Sequence, residues 1–478
     1  ISHHEDFKRV GPGRITPDAS VTAPHTPAQH LRRLLLGKPL ASAADLLERV
    51  SVPRGLAIFA SDNISSSAYA TEEIMRVLVL ASVTALTLTM PITLAIIVIL
   101  AIVIVSYRQV IQAYPNGGGS YVVARENLGP WAGMTAGAAL LTDYILTVAV
   151  SVSAGVTALT SAFPALYAHR VGLAIAVVAI MTIINLRGIT ESGRVFTIPT
   201  YVYVVAILGL IGYGLFRWAT SDLPAYTPPP EWIEGHGAES LTILLVLRAF
   251  ASGSVALTGT EAVSNGVPAF QPPEVRNAKI TLVAMGTLFA TIFVGISFLA
   301  SQIDIVPDPD EVESVNSILT RALVGEGWYF YLIQFSTALL LVLAANTAFN
   351  GFPRLASILA QDRYIPRQFS YRGDRLAFTG GIILLSVVAG ILIWVYQASV
   401  TGLIPLYTVG VFLAFTLSQA GLVRRWWSHR DERGWQFRLA INGAGTVATG
   451  VVTLVVGVSK FTLGAWMVLV LIPILVWG

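Results

Sequence analysis

The 478-residue sequence contains no cysteine, which excludes disulfides, thiolate metal sites and cysteine nucleophiles without fixing a redox compartment. Charge is nearly as scarce. Only 12% of residues are Asp, Glu, Lys or Arg, about half of the roughly 25% found in an ordinary soluble domain. A water-soluble enzyme, an intrinsically disordered chain and a collagen-like chain are all poor fits to that composition. No apolar core sits near the first residues, so no cleavable signal peptide is expected. What is abundant is apolar surface. Hydrophobic residues make up 54% of the chain and the mean hydropathy is +0.69, as for a helical protein that crosses a membrane many times.

A spanning helix needs about 20 largely apolar residues. Twelve stretches qualify, centred near residues 66, 98, 145, 178, 207, 254, 290, 338, 388, 412, 447 and 470. Their loops alternate in charge. One set carries Arg108 and Arg125, Arg187 and Arg194, Arg276 and Lys279, Arg354 to Arg375, and Arg424 to Arg438. The other set is poor in cations and holds acidic runs such as Asp308, Asp310, Glu311 and Glu313. Lys and Arg accumulate in cytoplasmic loops. The pattern therefore expects an even number of spans with both termini cytoplasmic. Residues 1–52 form a polar, basic N-terminal segment, in which residues 43–50 read as a short surface helix; His3 and His4 at its start read as a frayed terminus.

Two spans break the rules of a continuous helix. The first contains Phe59-Ala60-Ser61-Asp62-Asn63-Ile64-Ser65-Ser66-Ser67, and the sixth Phe250-Ala251-Ser252-Gly253-Ser254-Val255-Ala256-Leu257-Thr258-Gly259-Thr260-Glu261. Asp, Asn and Ser bond to nearby backbone, and Gly frees it, so both stretches should unwind. Each begins Phe-Ala-Ser and reaches a Thr-Glu pair about ten residues on. Spans one and six are equivalent in a five-plus-five inverted repeat, where paired discontinuous helices bracket a midplane binding site.

Asp62, Asp143 and Glu261 lie inside apolar segments, where a carboxylate costs several kcal/mol even on lenient scales (~3 kcal/mol). The structural reading pairs each with a buried cation, but Arg248 is the only well-placed candidate and cannot neutralise three acids. Glu72 and Glu73 fall nearer the outer mouth and say less. Asp143, Thr147 and Ser151 recur every four residues and share one helical face. Thr258 and Glu261, three apart, would share another if a half-helix started there. With Asp62, Ser65 and Tyr69 these side chains supply carboxylate, hydroxyl and carbonyl oxygens, the set that replaces the hydration shell of an alkali cation. A hydroxyl in a spanning helix also commonly bonds its own backbone, and for Thr147 and Ser151 both readings stand.

The segment Ala60 to Glu73 resembles the first-span signature of KimA-type potassium importers, of the KUP family in the amino acid–polyamine–organocation superfamily. The segments Tyr114 to Tyr121, Ala256 to Gly266, Asn346 to Arg354 and Asp362 to Phe369 are similar to that family as well, and the likeness runs from about residue 53 to the end. The resemblance implies an all-α integral membrane protein of LeuT-type fold: a transport core of ten spans over 53–422 and two further spans over 423–478. It implies potassium import by symport with protons and no cofactor. Matching motif positions suggest Asp62, Tyr69, Asp143, Thr147, Ser151 and Thr258 for potassium, Glu261 for proton coupling and Tyr407 as a gate or lining residue. Glu261 is the first choice of proton carrier, since desolvation favours a protonated carboxylate, with Asp143 the alternative. Family members continue into a cytosolic C-terminal domain, whereas this sequence stops at Trp477-Gly478. A homodimer or nucleotide regulation through that domain is therefore left open.

Other motifs carry little. Gly117-Gly118-Gly119-Ser120 lacks the Lys-Ser/Thr of a phosphate-cradling loop and reads as a turn. Pro228-Pro229-Pro230 reads as an extended linker, and the Arg424 to Arg433 cluster suits an anionic membrane surface rather than nucleic acid. His236 and His429 fall in loops, and no serine-histidine hydrolase pair is credible. Two alternative functions remain. An amino-acid substrate would need free backbone N–H groups where Asp62 stands, and a carboxylate there repels it; a cationic polyamine fits better. A transport-dead sensor or scaffold on the same fold is the third reading.

Overall fold

The computed structural model describes residues 7–11, 14–17, 49–117, 119–187, 193–233, 239–371, 378–461 and 464–477; the helix expected over 43–50 lies mostly outside them. A small antiparallel hairpin, β1 (Phe7–Gly11) with β2 (Arg14–Pro17), precedes the body. Among the described residues after 51, apart from an isolated bridge between Val50 and Phe270, all is helical or connecting loop. In lipid every backbone polar group must find its partner within the chain, which leaves helices as the solution for such apolar stretches. Among the described residues nine helices are long and apolar enough to cross a membrane.

The first expected span is a broken run: α1 (Val52–Phe59), α2 (Ser61–Ser65), a 3-10 turn at 66–68 and α3 (Ala70–Leu78). Then come α4 (Thr89–Ala113), the short α5 (Gly119–Leu128), α6 (Pro130–Ala162), α7 (Arg170–Leu186) and α8 (Gly193–Ala219). The second half opens with another broken run. Here α9 (Ile243–Gly253) passes into a 3-10 turn and resumes as α10 (Glu261–Asn265). It continues with α11 (Glu274–Gln302), the short α12 (Val315–Val324), α13 (Trp328–Gln361), α14 (Thr379–Val395) and α15 (Val400–Ser428). Finally α16 (Trp435–Ser459) and α17 (Ala465–Trp477) complete the chain. The stretches centred near 388 and 470 are thus helical but shorter than the nine long ones.

Burial sorts these helices. Of the apolar stretch of α6, 78% is buried, and of α13 and α15 72% each, against 28% for α16. The α6 helix packs along α13 and α15, and α16 packs outside α15. This inner bundle lies against the two broken runs, with α13 touching α2. Large apolar side chains on the outer helices, such as Val98, Ile180 and Leu454, face outward, as lipid contact requires.

Candidate functional site

Both breaks arise from side chains that compete for the backbone. In the first, Ser65 Oγ donates to the Asp62 carbonyl at 2.8 Å and Ser67 Oγ to the Ile64 carbonyl at 2.6 Å. In the second, Ser254 Oγ donates to Phe250 O at 2.7 Å and Thr258 Oγ1 to Val255 O at 2.8 Å. Thr258 is extended (ψ 159°) and Gly259 takes φ +77°, so the helix cannot continue until Glu261. Thr258 therefore lies in the unwound gap and Glu261 opens α10. The shared helical face expected for them does not form, because Gly259 turns the chain between them.

The two breaks are tied together. Asn63 Nδ2 donates to the Ala256 carbonyl at 3.1 Å and the Thr258 carbonyl at 2.9 Å. Ser66 Oγ lies 3.1 Å from both Thr258 Oγ1 and Tyr69 Oη. A Cβ at Gly259 would stand 2.6 Å from Asn63 N and 2.9 Å from Asp62 Cγ, so only glycine lets the sixth-span backbone lie on the Asp62 carboxylate.

Asp62 is 6% exposed, and its Oδ1 has no hydrogen-bond partner; the Thr347 hydroxyl of α13 lies against the same carboxylate. Asp143 of α6 likewise leaves Oδ1 buried and unpartnered. The two carboxylates lie within each other's electrostatic reach, and both act on Tyr69 and Tyr407. Tyr407 Oη of α15 lies 2.9 Å from Thr147 Oγ1, so Thr147 is turned inward. Ser151, one turn further along the same face of α6, is buried without a distinguishing contact. Asp62, Tyr69, Asp143, Thr147, Thr258 and Tyr407 thus form one polar cluster beside the breaks.

Among the described residues, none of the three acids joins a salt bridge. Arg248, the candidate for a structural pairing, instead reaches Glu239 at 3.4 Å. Nor do three His, Cys, Asp or Glu side chains gather as metal ligands among those residues. The two unpartnered carboxylate oxygens, with the hydroxyls around them, form a hard-oxygen set that suits a cation and offers nothing to a soft, thiolate-type metal.

Glu261 has a different setting. It accepts from Ser120 N and Ser120 Oγ, each at 2.8 Å, and from Tyr107 Oη at 3.2 Å. Ser120 lies in the first turn of α5, so Glu261 holds the N-terminus of that helix, where a carboxylate is favoured. At the opposite end Glu72 accepts from Val315 N at 3.1 Å, at the first residue of α12, and is paired with Arg76 at 2.6 Å. Glu73 accepts from Thr401 Oγ1 at 2.7 Å. Between Tyr69 and Glu72 lies a cavity of about 20 Å³, lined also by Glu311 and Thr337 among others; it has room for about one water-sized group.

Three contributors escape a reading of the sequence. Ser66 stands four residues after Asp62, a spacing that points to it. Thr347 sits inside the Asn346 to Arg354 segment, whose likeness to the family assigns it no role. Gly259 carries no signal beyond its place in a break, because the close approach it permits is a tertiary fact.

A family model described as amino acid permease matches residues 53–476. The chain is 45% identical over 446 residues to the potassium transporter KimA of Bacillus subtilis, covering 93% of this chain and 72% of that protein. It is 25% identical over 338 residues to the low-affinity putrescine importer PlaP of Escherichia coli K12, covering 68% and 70%. The probable potassium transport system protein Kup of Methylococcus capsulatus is 25% identical over 335 residues, covering 68% of this chain and 49% of that one.

Proposed function

The chain belongs to the amino acid permease family, and from that premise we propose that it imports potassium by symport with protons, through a LeuT-type five-plus-five inverted repeat. Secondary transport of potassium across the membrane follows from its relation to the Bacillus KimA transporter. The finer reading assigns the repeat to residues 53–422, two added spans to 423–478, twelve spans in all, and both termini to the cytoplasm.

Support for the repeat comes from the order of elements. In each half a broken helix is followed by a long helix, a short helix and a second long helix: α1–α3, α4, α5, α6, then α9–α10, α11, α12, α13. The Thr-Glu pairs end in reciprocal contacts. Glu261 of the second half holds α5 of the first, and Glu72 of the first half holds α12 of the second.

The observation that carries the ion-binding reading is the pair of buried, unpartnered oxygens on Asp62 and Asp143. A dehydrated potassium ion supplies one positive charge against this pair, and a proton on Asp143 would supply the second. Thr258, Ser66, Tyr69 and Thr147 offer the neutral oxygens that replace its water, and Tyr407, bonded to Thr147, closes one wall. Ser151 extends the lining along α6. Glu261 is the proton site in this reading: protonating it weakens its hold on α5 and couples proton arrival to the helix that closes that end. Asp143, whose Oδ1 is free, is the alternative carrier.

The test is rescue of a potassium-uptake-deficient strain at limiting potassium, with rubidium uptake measured in parallel. Asp62→Asn should lower uptake tenfold to a hundredfold, since a hydrogen bond or contact to a charged group contributes about 1.5–3 kcal/mol. Full uptake by that variant overturns the site. Displacement of rubidium by putrescine would favour the polyamine reading, to which the two free carboxylates also lend themselves as anchors for the ends of a diamine.

A further inference from the structure

A second cavity shares no lining residue with the ion-site cluster and lies at the end of the molecule that carries the cation-rich loops. It measures about 220 Å³ and sits between α4, α11, α15 and α16. Arg108 near the end of α4, Lys279 in the second turn of α11 and Arg438 in the first turn of α16 all line it, together with Trp426 and Phe437. No acidic residue is among its lining residues. Arg438 is steadied from two sides, by Glu432 at 2.9 Å and by stacking over Trp426 with its guanidinium carbon 4.6 Å from the ring centroid. Lys279 Nζ donates to Gln112 Oε1 at 2.5 Å and feels the charges of both Arg108 and Arg438. Three cations from three helices thus converge on one space; Glu432 offsets Arg438, and no carboxylate among the cavity's lining residues offsets Arg108 or Lys279, an arrangement that an entering anion relieves.

The surroundings say what kind of anion. Phe437 is 66% exposed beside the cavity, and Val447, Val451, Leu454 and Val458 form an exposed apolar lane along one face of α16. A ligand with a phosphate at one end and acyl chains at the other matches both parts: the headgroup enters among the cations, and the chains run along α16. Basic pockets between spanning helices on the cytoplasmic side take anionic headgroups in this way. We propose that the cavity lined by Arg108, Lys279 and Arg438 is a binding site for the phosphate headgroup of an anionic phospholipid. The site shares no residue with the proposed potassium site and does not depend on the transport reading.

The test uses the full chain purified in a neutral detergent, with phosphatidylglycerol titrated in and bound lipid counted by native mass spectrometry. Phosphatidylcholine of the same acyl length and inorganic phosphate serve as the other arms. Phosphatidylglycerol should be retained and phosphatidylcholine should not. Each cation near a membrane surface contributes about fivefold to such binding, so Arg108→Gln with Lys279→Gln should weaken retention roughly 25-fold. Arg433→Gln, in the neighbouring loop and outside the cavity, should leave it unchanged. Val105→Trp fills the cavity without removing charge and should also abolish retention, so it carries the test alone if the double variant does not fold. Wild-type retention in Val105→Trp, or equal retention of phosphatidylcholine, overturns the site. Displacement of the lipid by inorganic phosphate at equal concentration overturns the lipid as its occupant and assigns a soluble phosphate instead.

Discussion

Asp62 and Gly259 depend on each other in a way neither residue type announces. The carboxylate of Asp62 lies under the backbone of Gly259, with room for a hydrogen and not for a methyl: a Cβ there would meet Asp62 Cγ at 2.9 Å and Asn63 N at 2.6 Å. The second of these atoms is backbone and cannot rotate away. Gly259 also has φ +77°, where an L-residue is strained by about 1–2 kcal/mol. Gly259→Ala should therefore abolish rubidium uptake while leaving membrane insertion intact, because the segment is short and the long helices do not rely on it. The check is uptake against surface expression in the same cells, and near-normal transport by this variant would show that the two breaks need not touch. The acids themselves are legible in the sequence, since a carboxylate in an apolar stretch always asks for a reason. Their freedom from cations is not, because Arg248 is available by sequence position and yet faces Glu239.

The short helices α5 and α12 matter at the next scale, because each is held at its N-terminus by a carboxylate from the other half. Val315 N and Glu72 are 243 residues apart, and Ser120 and Glu261 are 141 apart. No periodicity in a single sequence connects such positions. What the sequence does offer is the echo of Phe-Ala-Ser followed by Thr-Glu, whose meaning emerges once the glutamates are seen to perform equivalent tasks. The two holds are not identical. Glu72 is charge-paired with Arg76, whereas Glu261 relies on neutral donors from Ser120 and Tyr107. A Gln at either place loses the negative charge that attracts the helix N-terminus, a contribution of about 0.3–1 kcal/mol or more when buried. Glu261→Gln should thus expose the α5 end and Glu72→Gln the α12 end, about two- to fivefold each. Since the chain has no cysteine of its own, single cysteines placed beside α5 or α12 report each end without background. The outcome that refutes reciprocal latches is the same change in labelling at both ends for either variant.

At the scale of the whole molecule the charge pattern makes the two ends unlike. Cations concentrate at one end, including the Arg108, Lys279 and Arg438 group, while Glu72, Glu73 and Glu311 crowd the other. In the proposed import an approaching cation meets first the end where Glu72, Glu73 and Glu311 lie, the first two set against Arg76 and Lys460, and leaves by the cation-rich end. The fixed charges shape the barriers along that path, while the net drive comes from the membrane potential, about 2.3 kcal/mol per elementary charge at 100 mV. The alternation of loop charges makes this polarity readable in the sequence alone, because it is a sum over many residues and tolerates errors in any one boundary. The number of charges moved per cycle is not written in such a sum. It can be measured in sealed proteoliposomes holding a fixed potential of 100 mV, inside negative, with no pH difference. Potassium moving alone can accumulate only about 50-fold at that potential, whereas potassium with one proton can reach roughly 2,500-fold, since two charges then descend the same field. Proton symport predicts rubidium accumulation well above the lower limit, and a proton carrier at Glu261 predicts that Glu261→Gln falls back to it. Accumulation that stops near 50-fold in the unmodified protein would remove the proton from the cycle while leaving the proposed potassium site untouched.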